Sequence, residues 1–317
     1  MADPAFSSTP NDGLTVAILL CTYNGEQFLQ AQLDSIAKQS HRHWSLFVSD
    51  DGSTDGTLNL IERFASVVGP ERVQIFSGPR RGFSQNFLSL IVRPEIDCPY
   101  IAFADQDDVW LIEKLACAVA AIKDHATTPA LYLGRTRYID GQGQVLGESA
   151  VFSKPPRFAN ALVQSIGGGN TMMINQQTLE RLRAIVHPLD VVSHDWWLYL
   201  LVTALGGLVY YDCRPWVLYR QHGQNLVGMN TSLRQKWHRI QMLLAGDFRR
   251  WNDRNIKVLS LIRPQMSEQI CAVFDAFVYG RQQGLYRRVT SMLAARVYRQ
   301  TNLGNLGLWF AILTNRV

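Results

Sequence analysis

The first 125 residues alternate between strand-like and helix-like segments, and this alternation is the strongest constraint on the fold. Apolar runs of strand length occupy residues 14–21, 44–49, 73–76 and 100–104. The segments between them repeat apolar residues at the spacing of a helix. Because strands joined by helices of this length form right-handed crossovers, the sequence predicts an α/β fold with a mainly parallel central sheet.

The pattern changes after residue 125. Two strand-like segments, 130–139 and 144–148, flank an Asp-Gly-Gln-Gly turn and predict a hairpin. A short strand at 208–211 is followed by a polar stretch at 219–228, and the chain is helical and basic from residue 232 onward. We predict a flexible leader, an α/β domain in two halves and a helical C-terminal region, with bounds 1–13, 14–125, 126–228 and 229–317.

The charge of the chain is unevenly distributed. Residues 231–317 contain 14 Lys and Arg against 4 Asp and Glu, a net charge of +10, whereas residues 1–230 contain 17 against 22, a net charge of −5. This asymmetry indicates two surfaces with different partners. An anionic membrane surface and nucleic acid are candidates for the basic end, but no nucleic-acid-binding motif is present, so we expect no nucleic-acid partner.

The beginning of the basic region has the pattern of an amphipathic helix. Its apolar positions recur at helical spacing and basic residues surround them: Trp237, Ile240, Leu244, Phe248 and Trp251, with Arg234, Lys236, Arg239, Arg249 and Arg250. Such a helix either docks on the rest of the protein or binds a membrane surface. We favour peripheral membrane contact, and a homodimer remains a further candidate assembly.

The cysteines and the N-terminus bear on the compartment. Five cysteines are scattered, odd in number and never in a Cys-x-x-Cys pair, which predicts reduced thiols. The first twelve residues have no apolar core and so do not resemble a signal peptide. We expect a cytoplasmic protein that associates with the inner face of the membrane.

Three carboxylates, Asp105, Asp107 and Asp108, directly follow the apolar run at 100–104. Like charges this close raise one another's pKa, and a divalent cation such as Mg²⁺ or Mn²⁺ would relieve the repulsion. Asp105 and Asp107 are spaced to face one ion, whereas Asp108 is equally suited to cap a helix starting near Val109. The sequence therefore predicts a metal site at the end of this strand.

A second acidic loop, Asp50-Asp51-Gly52-Ser53, follows the strand at 44–49. Taken alone, an Asp-Gly-Ser sequence is a common turn that needs no ligand. However, the carboxyl ends of parallel strands lie at the same edge of a sheet, where open α/β folds bind their ligands. The two loops together predict one crevice lined by carboxylates.

Three strings, at residues 16–25, 47–56 and 103–110, together resemble family 2 glycosyltransferases with the GT-A fold. Within that family, the Asp-Gln-Asp-Asp-Val-Trp wording and the string at 219–223 are similar to bacterial rhamnosyltransferases of surface-polysaccharide and O-antigen synthesis. The resemblance covers roughly residues 14–228. It makes the halves 14–125 and 126–228 the nucleotide-binding and acceptor halves of the catalytic domain.

The resemblance implies an inverting glycosyltransferase that needs Mg²⁺ or Mn²⁺. Its donor would be a dTDP- or UDP-linked sugar, with rhamnose as the candidate, and its acceptor a glycan or a lipid-linked glycan. The Asp-x-Asp pair, Asp105 and Asp107, would hold the metal, with His222 as a third ligand. A metal bound there would stabilise the departing diphosphate.

The resemblance also implies a set of donor contacts. They are Thr22, Tyr23, Asn24, Asp50, Asp51, Arg81, Asn86, Asp105, Gln106 and Arg220. In this set Asp50 would contact the base and ribose, and Arg220 a phosphate. For Arg81 a solvated loop charge is an equally good interpretation.

Asp195, at the start of the predicted helix 195–205, is the candidate general base by the same resemblance. An acidic residue there also interacts favourably with the helix dipole, which is the alternative explanation. His194 stands where many relatives carry Glu, and at most tunes the pKa of its neighbour. The candidate acceptor contacts are Trp110, Gly169, Asn170, Trp196 and Trp197, although one of the paired tryptophans is expected in the core.

Two other classes of protein remain as alternatives. A sugar-phosphate nucleotidyltransferase also has a metal-bearing α/β domain, but it would carry a Gly-rich phosphate loop after the first strand, where this chain has Thr22-Tyr23-Asn24-Gly25. A non-catalytic module that binds glycans or membranes would keep the fold without the chemistry. The presence of Asp105, Asp107 and Asp195 argues against it.

Overall fold

The computed structural model describes residues 14–185, 189–222 and 245–317. A central sheet of nine strands runs through this part of the chain in the order β3-β2-β1-β4-β8-β6-β9-β5, with β7 paired to β6. The strands are β1 Val16–Thr22, β2 Trp44–Asp50, β3 Val73–Ser77, β4 Tyr100–Asp105, β5 Val109–Trp110, β6 Ala130–Ile139, β7 Val145–Glu148, β8 Met173–Asn175 and β9 Leu208–Arg220.

Helices cover both faces of the sheet and continue after it. In the described residues they are α1 Glu26–Ala37, α2 Thr57–Val68, α3 Phe83–Ile91, α4 Lys114–Ile122, α5 Phe158–Ala161, α6 Gln176–Arg183, α7 His194–Ala204, α8 Asp247–Ile262, α9 Glu268–Arg281, α10 Leu285–Ala294 and α11 Asn302–Leu313. A 3₁₀ turn at Gly169–Thr171 precedes β8.

The strand β1 explains why the first half folds as predicted. It is parallel to β2 on one side and to β4 on the other. Its apolar residues alternate between two cores, because successive side chains of a strand point to opposite faces. Ala17 and Leu19 belong to one core, and Ile18 and Leu20 to the other, all with no exposure. The predicted α/β class with a mainly parallel sheet is confirmed.

The second half adds antiparallel pairs to this sheet. β8 is antiparallel to both β4 and β6, and β6 and β7 form the predicted hairpin. The prediction for β9 was wrong: a four-residue strand at 208–211 is in fact thirteen residues long. The extra length pairs with β6, up to Ile139 opposite Arg220, and shifts of register accommodate Pro215. Arg220 therefore ends a strand and is not part of a polar loop.

The expected helix near Val109 was also wrong. Val109 and Trp110 form β5, which pairs with Leu218 and Val217 of β9. The next helix, α4, begins at Lys114. Asp108 consequently caps no helix, because the backbone after it is extended to complete the sheet.

The described part of the C-terminal region, residues 245–317, is helical, as predicted, and it packs on α7. Residues of α8, α9 and α11 share one buried core with α7. The Asn160 Nδ2 donates to the Tyr298 carbonyl at 2.8 Å, which ties α5 to the chain after α10. No helix of the described residues is long and apolar enough to cross a membrane.

The predicted amphipathic stripe is only partly within the described chain. Residues 234–244 of the stripe, like the leader 1–13, lie outside the described residues. Phe248 and Trp251 are described, and both contact the Trp196 ring, with centroids 6.4 and 6.5 Å apart. This part of the stripe docks on α7 of the α/β domain, which is one of the two alternatives that the sequence left open.

Candidate active site

The carboxyl ends of β1, β2 and β4 meet at one edge of the sheet, as the sequence predicted. Thr22 pairs with Asp50 in register, and Cys21 pairs with Asp105. Asp195, at the start of α7, approaches the same edge. Burial first, and then the charges of Asp107 and Asp195, raise the pKa of Asp105 to about 7. Three carboxylates from two distant parts of the chain therefore share one crevice.

Asp107 and His222 are in direct contact in this crevice. The Nε2 atom of His222 lies 2.7 Å from Oδ2 of Asp107, and both side chains are close to one-fifth exposed. The His222 ring also packs on Phe28 of α1, with 5.0 Å between centroids. Residues 115 positions apart in sequence are thus brought together, as the metal-site prediction requires.

The donor set suits a divalent cation that is shared with a substrate. A carboxylate oxygen and an imidazole nitrogen lie side by side, and Mn²⁺ and related ions accept both kinds of ligand. No group of three or more His, Cys, Asp or Glu that could hold a metal occurs among the described residues. Few protein ligands are usual where phosphate oxygens complete the coordination. Asp107 and His222 therefore fit a metal that binds together with a diphosphate.

Arg220 supports the Asp107 loop from behind. Its side chain is buried, and its Nε donates to the Asp107 carbonyl at 3.0 Å. Its Nη1 donates to the carbonyls of Asp140 and Gly141 at 3.1 and 3.3 Å, and its guanidinium lies 4.8 Å from the centroid of the Phe28 ring. Nε and Nη1 of Arg220 are thus engaged by backbone carbonyls, and the phosphate contact stays a prediction.

Asp108 connects three parts of the site. It is fully buried and accepts from the Asn170 Nδ2 at 2.5 Å and from the Arg220 amide at 3.2 Å. Burial, followed by the charges of Asp107 and Asp105, raises its pKa. Asp108 consequently links the 105–108 loop, the Gly169–Thr171 turn and the end of β9.

A buried lysine near Asp108 was missed at the sequence level. Burial lowers the pKa of Lys114 to about 7, although the charge of Asp108 partly opposes this shift. The Lys114 Nζ lies 3.6 Å from the centroid of the Trp110 ring. The signal was available, because Lys114 is the single charged residue in an otherwise apolar helical segment.

Four of the five predicted acceptor contacts have buried side chains. Trp110 is 3% exposed, and Asn170, also 3% exposed, is engaged with Asp108. Trp196 is 6% exposed and its indole donates to the Ala161 carbonyl, while Trp197 is completely buried. None of these four side chains is available to wall a sugar site. Both tryptophans after Asp195 are core residues because α7 is covered by α5 and α8.

Asp195 is half-buried at the first turn of α7. Its Oδ1 accepts from the Trp196 amide at 2.7 Å, which fixes the orientation of the carboxylate. In the described part of the chain no donor contacts Oδ2. One oxygen of the carboxylate therefore remains for a substrate.

His194, next to Asp195, is a neutral spacer in the core. Its ring lies 4.2 Å from Phe87 and 5.5 Å from Phe103, measured between centroids. Neither ring nitrogen has a hydrogen-bond partner within the described residues. Burial lowers its pKa to about 4. A Cβ placed on Gly169 would lie 2.2 Å from Nε2, so this close approach explains the glycine.

The Asp50 loop is held rigid by its own hydrogen bonds. Oδ2 of Asp50 accepts from Thr22 Oγ1 at 2.8 Å and from Ser53 Oγ at 2.6 Å. Oδ1 accepts from the amides of Gly52 and Ser53 at 3.1 and 2.8 Å. Asp50 is 6% exposed, whereas Asp51 is half-buried. Burial first, and then the charges of Asp105 and Asp51, raise the pKa of the nearby Cys21 thiol. Asp50 therefore braces the loop, and Asp51 is the more accessible of the two carboxylates.

Asp51 also organises a loop after β3. Its oxygens accept from the amides of Arg80 and Gly82 at 2.6 and 3.3 Å. A Cβ on Gly52 would lie 2.8 Å from Nε of Arg80. Arg81, which the resemblance suggested, is simply exposed. Arg80 is thus the arginine that lies against this acidic loop, and sequence reasoning did not separate the two neighbours.

The remaining predicted donor residues hold the β1 and β4 loops together. Gln106 Oε1 accepts from the Tyr23 amide at 2.8 Å, and its Nε2 donates to the Tyr23 carbonyl at 3.0 Å. Asn24, with φ of 46°, accepts from the Thr54 amide at 2.8 Å. Asn86 is buried and donates to the Ser49 carbonyl at 3.0 Å. Tyr23 and Asn24 are the exposed residues of this set, whereas Asn86 is buried.

The fold and the comparisons with known proteins define the class of enzyme. The chain resembles the crystal structure of S. aureus TarS 1–349 in complex with UDP-GlcNAc, with a TM-score of 0.53, 16% identity and coverage of 89% of this chain and 90% of that one. The fold is therefore GT-A. The family model of glycosyl transferase family 2 matches residues 17–182. This chain belongs to glycosyl transferase family 2, and it is an enzyme that transfers glycosyl groups.

Two relatives illustrate the range within the family. The dTDP-rhamnosyl transferase RfbG of Shigella flexneri is 31% identical over 232 residues, which cover 71% of this chain and 78% of that protein. The UDP-Glc:alpha-D-GlcNAc-diphosphoundecaprenol beta-1,3-glucosyltransferase WfgD of Escherichia coli is 22% identical, covering 75% of this chain and 87% of that protein.

The Asp108 connections predict the effect of a conservative change. In Asp108→Asn an amide NH₂ replaces one oxygen and meets the donor of Asn170 or of Arg220. We expect a loss of about 1–3 kcal/mol in the free energy of unfolding, since a buried donor is left without an acceptor. We also expect kcat to fall by about 10- to 100-fold, because the 105–108 loop, which would carry the metal, shifts. Chemical denaturation and steady-state kinetics would measure both, with the exposed Asp124→Asn as control, and an unchanged kcat would contradict the positioning role.

The buried imidazole of His194 predicts a pH dependence of stability. Its pKa is about 4 in the folded protein against 6.5 ordinarily, so the unfolded chain binds the proton first as the pH falls. Stability from this group is complete above pH 6.5 and is lost progressively down to about pH 4. Between pH 7 and pH 5 the loss should be about 2 kcal/mol.

Denaturation of the wild-type protein and of His194→Gln at these two pH values would check this dependence. The variant should lose less stability than the wild type over the same interval, while the exposed His43→Gln should behave as the wild type. Equal losses in all three proteins would show that His194 does not titrate as described.

Proposed function

We propose that this enzyme is an inverting, metal-dependent glycosyltransferase that moves a sugar from a nucleotide-diphosphate donor to a hydroxyl of a glycan or lipid-linked glycan in polysaccharide biosynthesis. The observation that carries the proposal is the convergence of the Asp107–His222 pair, Asp105 and Asp195 on one sheet edge. A leaving-group site and a base site thereby face the same crevice.

Asp107 and His222 are the residues that would hold a divalent cation. When bound, the cation would offset negative charge on the departing diphosphate, which is the chemistry that this site needs. The protein prepares the position in advance: Arg220 fixes the backbone of Asp107, and Phe28 packs on the His222 ring. Asp105, whose pKa is already raised, lies beside this pair as a further donor contact.

Asp195 is the proposed general base. Its Oδ2 would accept the proton of the acceptor hydroxyl while the hydroxyl oxygen forms a bond to the anomeric carbon. The bond from that carbon to the diphosphate oxygen breaks in the same displacement, and the electron pair leaves with the nucleoside diphosphate. Attack from the side opposite the leaving group inverts the anomeric configuration.

For the donor we propose dTDP-linked rhamnose. Support comes from the 31% identity to a Shigella flexneri protein named as a dTDP-rhamnosyl transferase. A UDP-linked sugar is the alternative, which the name of the Escherichia coli relative supports. That second name also includes a diphosphoundecaprenol acceptor, which supports a lipid-linked glycan here. A cytoplasmic enzyme at the inner face of the membrane would fit such an acceptor and five free cysteines.

Asp195→Asn tests the base. The amide cannot accept the proton, so transfer should fall by about 10²- to 10⁴-fold while donor affinity stays within about twofold. Calorimetry with the donor and rate measurements with an acceptor would separate the two effects. Asp190→Asn, four residues before α7 and exposed, is the matched control. Loss of donor binding together with transfer would remove Asp195 from the role of base.

Donor binding with and without Mn²⁺ tests the metal site. At a donor concentration of 100 Kd the folded enzyme should gain about 2.7 kcal/mol, visible as a rise in Tm, and only when the metal is present. Asp107→Ala and His222→Ala should each abolish this gain, whereas the exposed His43→Ala should retain it. A thermal-shift screen of dTDP- and UDP-sugars would make the comparison, and full donor stabilisation in EDTA would refute the metal dependence.

A further inference from the structure

Helix α11 has two apolar faces. It contains no charged residue. One face, with Leu308, Ala311 and Ile312, is buried in the core. The other face exposes four large apolar side chains at intervals of three, four and three residues: Leu303 at 74%, Leu306 at 69%, Phe310 at 46% and Leu313 at 54%. This spacing places all four on one side of a helix that would ordinarily be polar there.

Hydrogen bonds hold both ends of α11, so its exposed face has a fixed position on the protein. The Thr301 side chain accepts from the Gly304 amide at 3.0 Å and caps the N-terminus. At the other end, Arg288 Nη1 donates to the Ile312 carbonyl at 3.1 Å, and Arg249 Nη1 donates to the Asn315 carbonyl at 2.9 Å. A contiguous exposed apolar stripe on an anchored element marks an interaction site.

The preceding helix extends the apolar character. In α10, Leu285 and Leu293 are 54% and 56% exposed, and Tyr286 is 81% exposed. These three positions lie on one side of α10. The helix α10 itself contacts α11. A tyrosine beside exposed leucines is typical of surfaces that lie at the boundary of water and lipid.

The segment that carries these two helices is basic. Residues 276–317 contain six arginines and no Asp or Glu. Arg281 and Arg288 are buried and tie the helices together, whereas Arg287 and Arg296 are exposed. An apolar stripe on a segment whose own charged residues are all basic matches an anionic lipid surface, which takes up both the side chains and the charge.

We propose that α11 is an interfacial membrane helix, whose stripe of Leu303, Leu306, Phe310 and Leu313 inserts among the headgroups of an anionic bilayer. A second copy of this chain would also cover the stripe, but it would bring its own arginines against these and cause like-charge repulsion. The inference rests on the proposed function only for the lipid-linked character of the acceptor. Lipid binding itself requires no glycosyl transfer.

Sedimentation with vesicles tests this inference directly. The full chain should bind vesicles of equal parts phosphatidylglycerol and phosphatidylcholine, and should bind phosphatidylcholine alone much less. Leu306→Glu with Phe310→Glu should weaken binding by about 100-fold or more, because two apolar anchors are removed. The matched control, Val67→Glu with Val145→Glu, changes two equally exposed apolar residues in the catalytic domain and should bind as the wild type.

The charges are tested separately. Arg287→Gln with Arg296→Gln should weaken binding to the anionic vesicles by about 30-fold, since each basic residue near such a surface contributes about fivefold. Because the attraction is electrostatic, added salt should reduce the difference between this variant and the wild type. Leu306→Ser with Phe310→Ser, which adds no charge, guards against misfolding and should keep the wild-type Tm while losing vesicle binding.

Three outcomes would overturn the inference. They are no binding of the wild type to anionic vesicles, unchanged binding of the Leu306/Phe310 variants, and a wild-type dimer that those variants convert to monomers without any lipid binding. Transfer to a water-soluble acceptor should be unaffected in the stripe variants, and Asp195→Asn should bind vesicles normally. A failure of the proposed chemistry would therefore not affect the vesicle-binding result, and a failure of vesicle binding would not affect the proposed chemistry.

Discussion

Repulsion among carboxylates crowded at the end of a buried strand is the constraint on which the rest of the site depends. Asp105 and Asp107 lie at the edge of the crevice, and Asp108 is completely buried behind them. Each has a different compensation. His222 contacts Asp107, donors from Asn170 and Arg220 reach Asp108, and the pKa of Asp105 rises. Because these groups come from three separate strands and turns, the charges themselves tie the two halves of the domain together.

The compensation explains why side chains that resemble ligand contacts are structural. Arg220 would be a natural phosphate contact if it stood in a loop. It is instead the last residue of β9, and its Nε donates to the backbone of the 105–108 loop. Asn170 would be a natural acceptor contact, yet a buried carboxylate requires its donor. A buried charge is costly without hydrogen-bond donors, so the nearest polar residues donate to the carboxylate and are not left for a substrate.

The fold was predictable from the sequence wherever the signal was local. The helix α3 lies between two of the predicted strands, in a segment whose spacing predicted a helix, and β1 is an apolar run because both of its faces are buried. The length of β9 was not predictable, since it depends on pairing with β6 some 80 residues earlier. The burial of Trp196 depends in the same way on Phe248, which belongs to the C-terminal helices. Sequence patterns report which residues are apolar, but not which neighbours arrive to cover them.

The site shows the same division. The resemblance to a known family brought Asp107 and His222 into one prediction, and the geometry joins them. Asp108, Lys114 and His194 were undervalued because the burial of a charged or polar group is a tertiary property. His194 is the clearest case: an imidazole with no hydrogen-bond partner in the described chain fills space beneath Gly169, where nothing in its local sequence distinguishes it from a ligand.

The C-terminal helices give this arrangement a further consequence. The helix α7 carries Asp195 at its start, and its next residue, Trp196, packs on Phe248 and Trp251 of α8. Residues of α8, α9 and α11 belong to the same core as α7. Since protein interiors are close-packed and transmit displacement, a surface that α11 binds becomes fixed relative to the carboxylate of Asp195. If α11 lies at a lipid surface as proposed, the proposed base is held at a constant distance from the plane of the bilayer, and a lipid-linked acceptor would be found by diffusion in two dimensions instead of three.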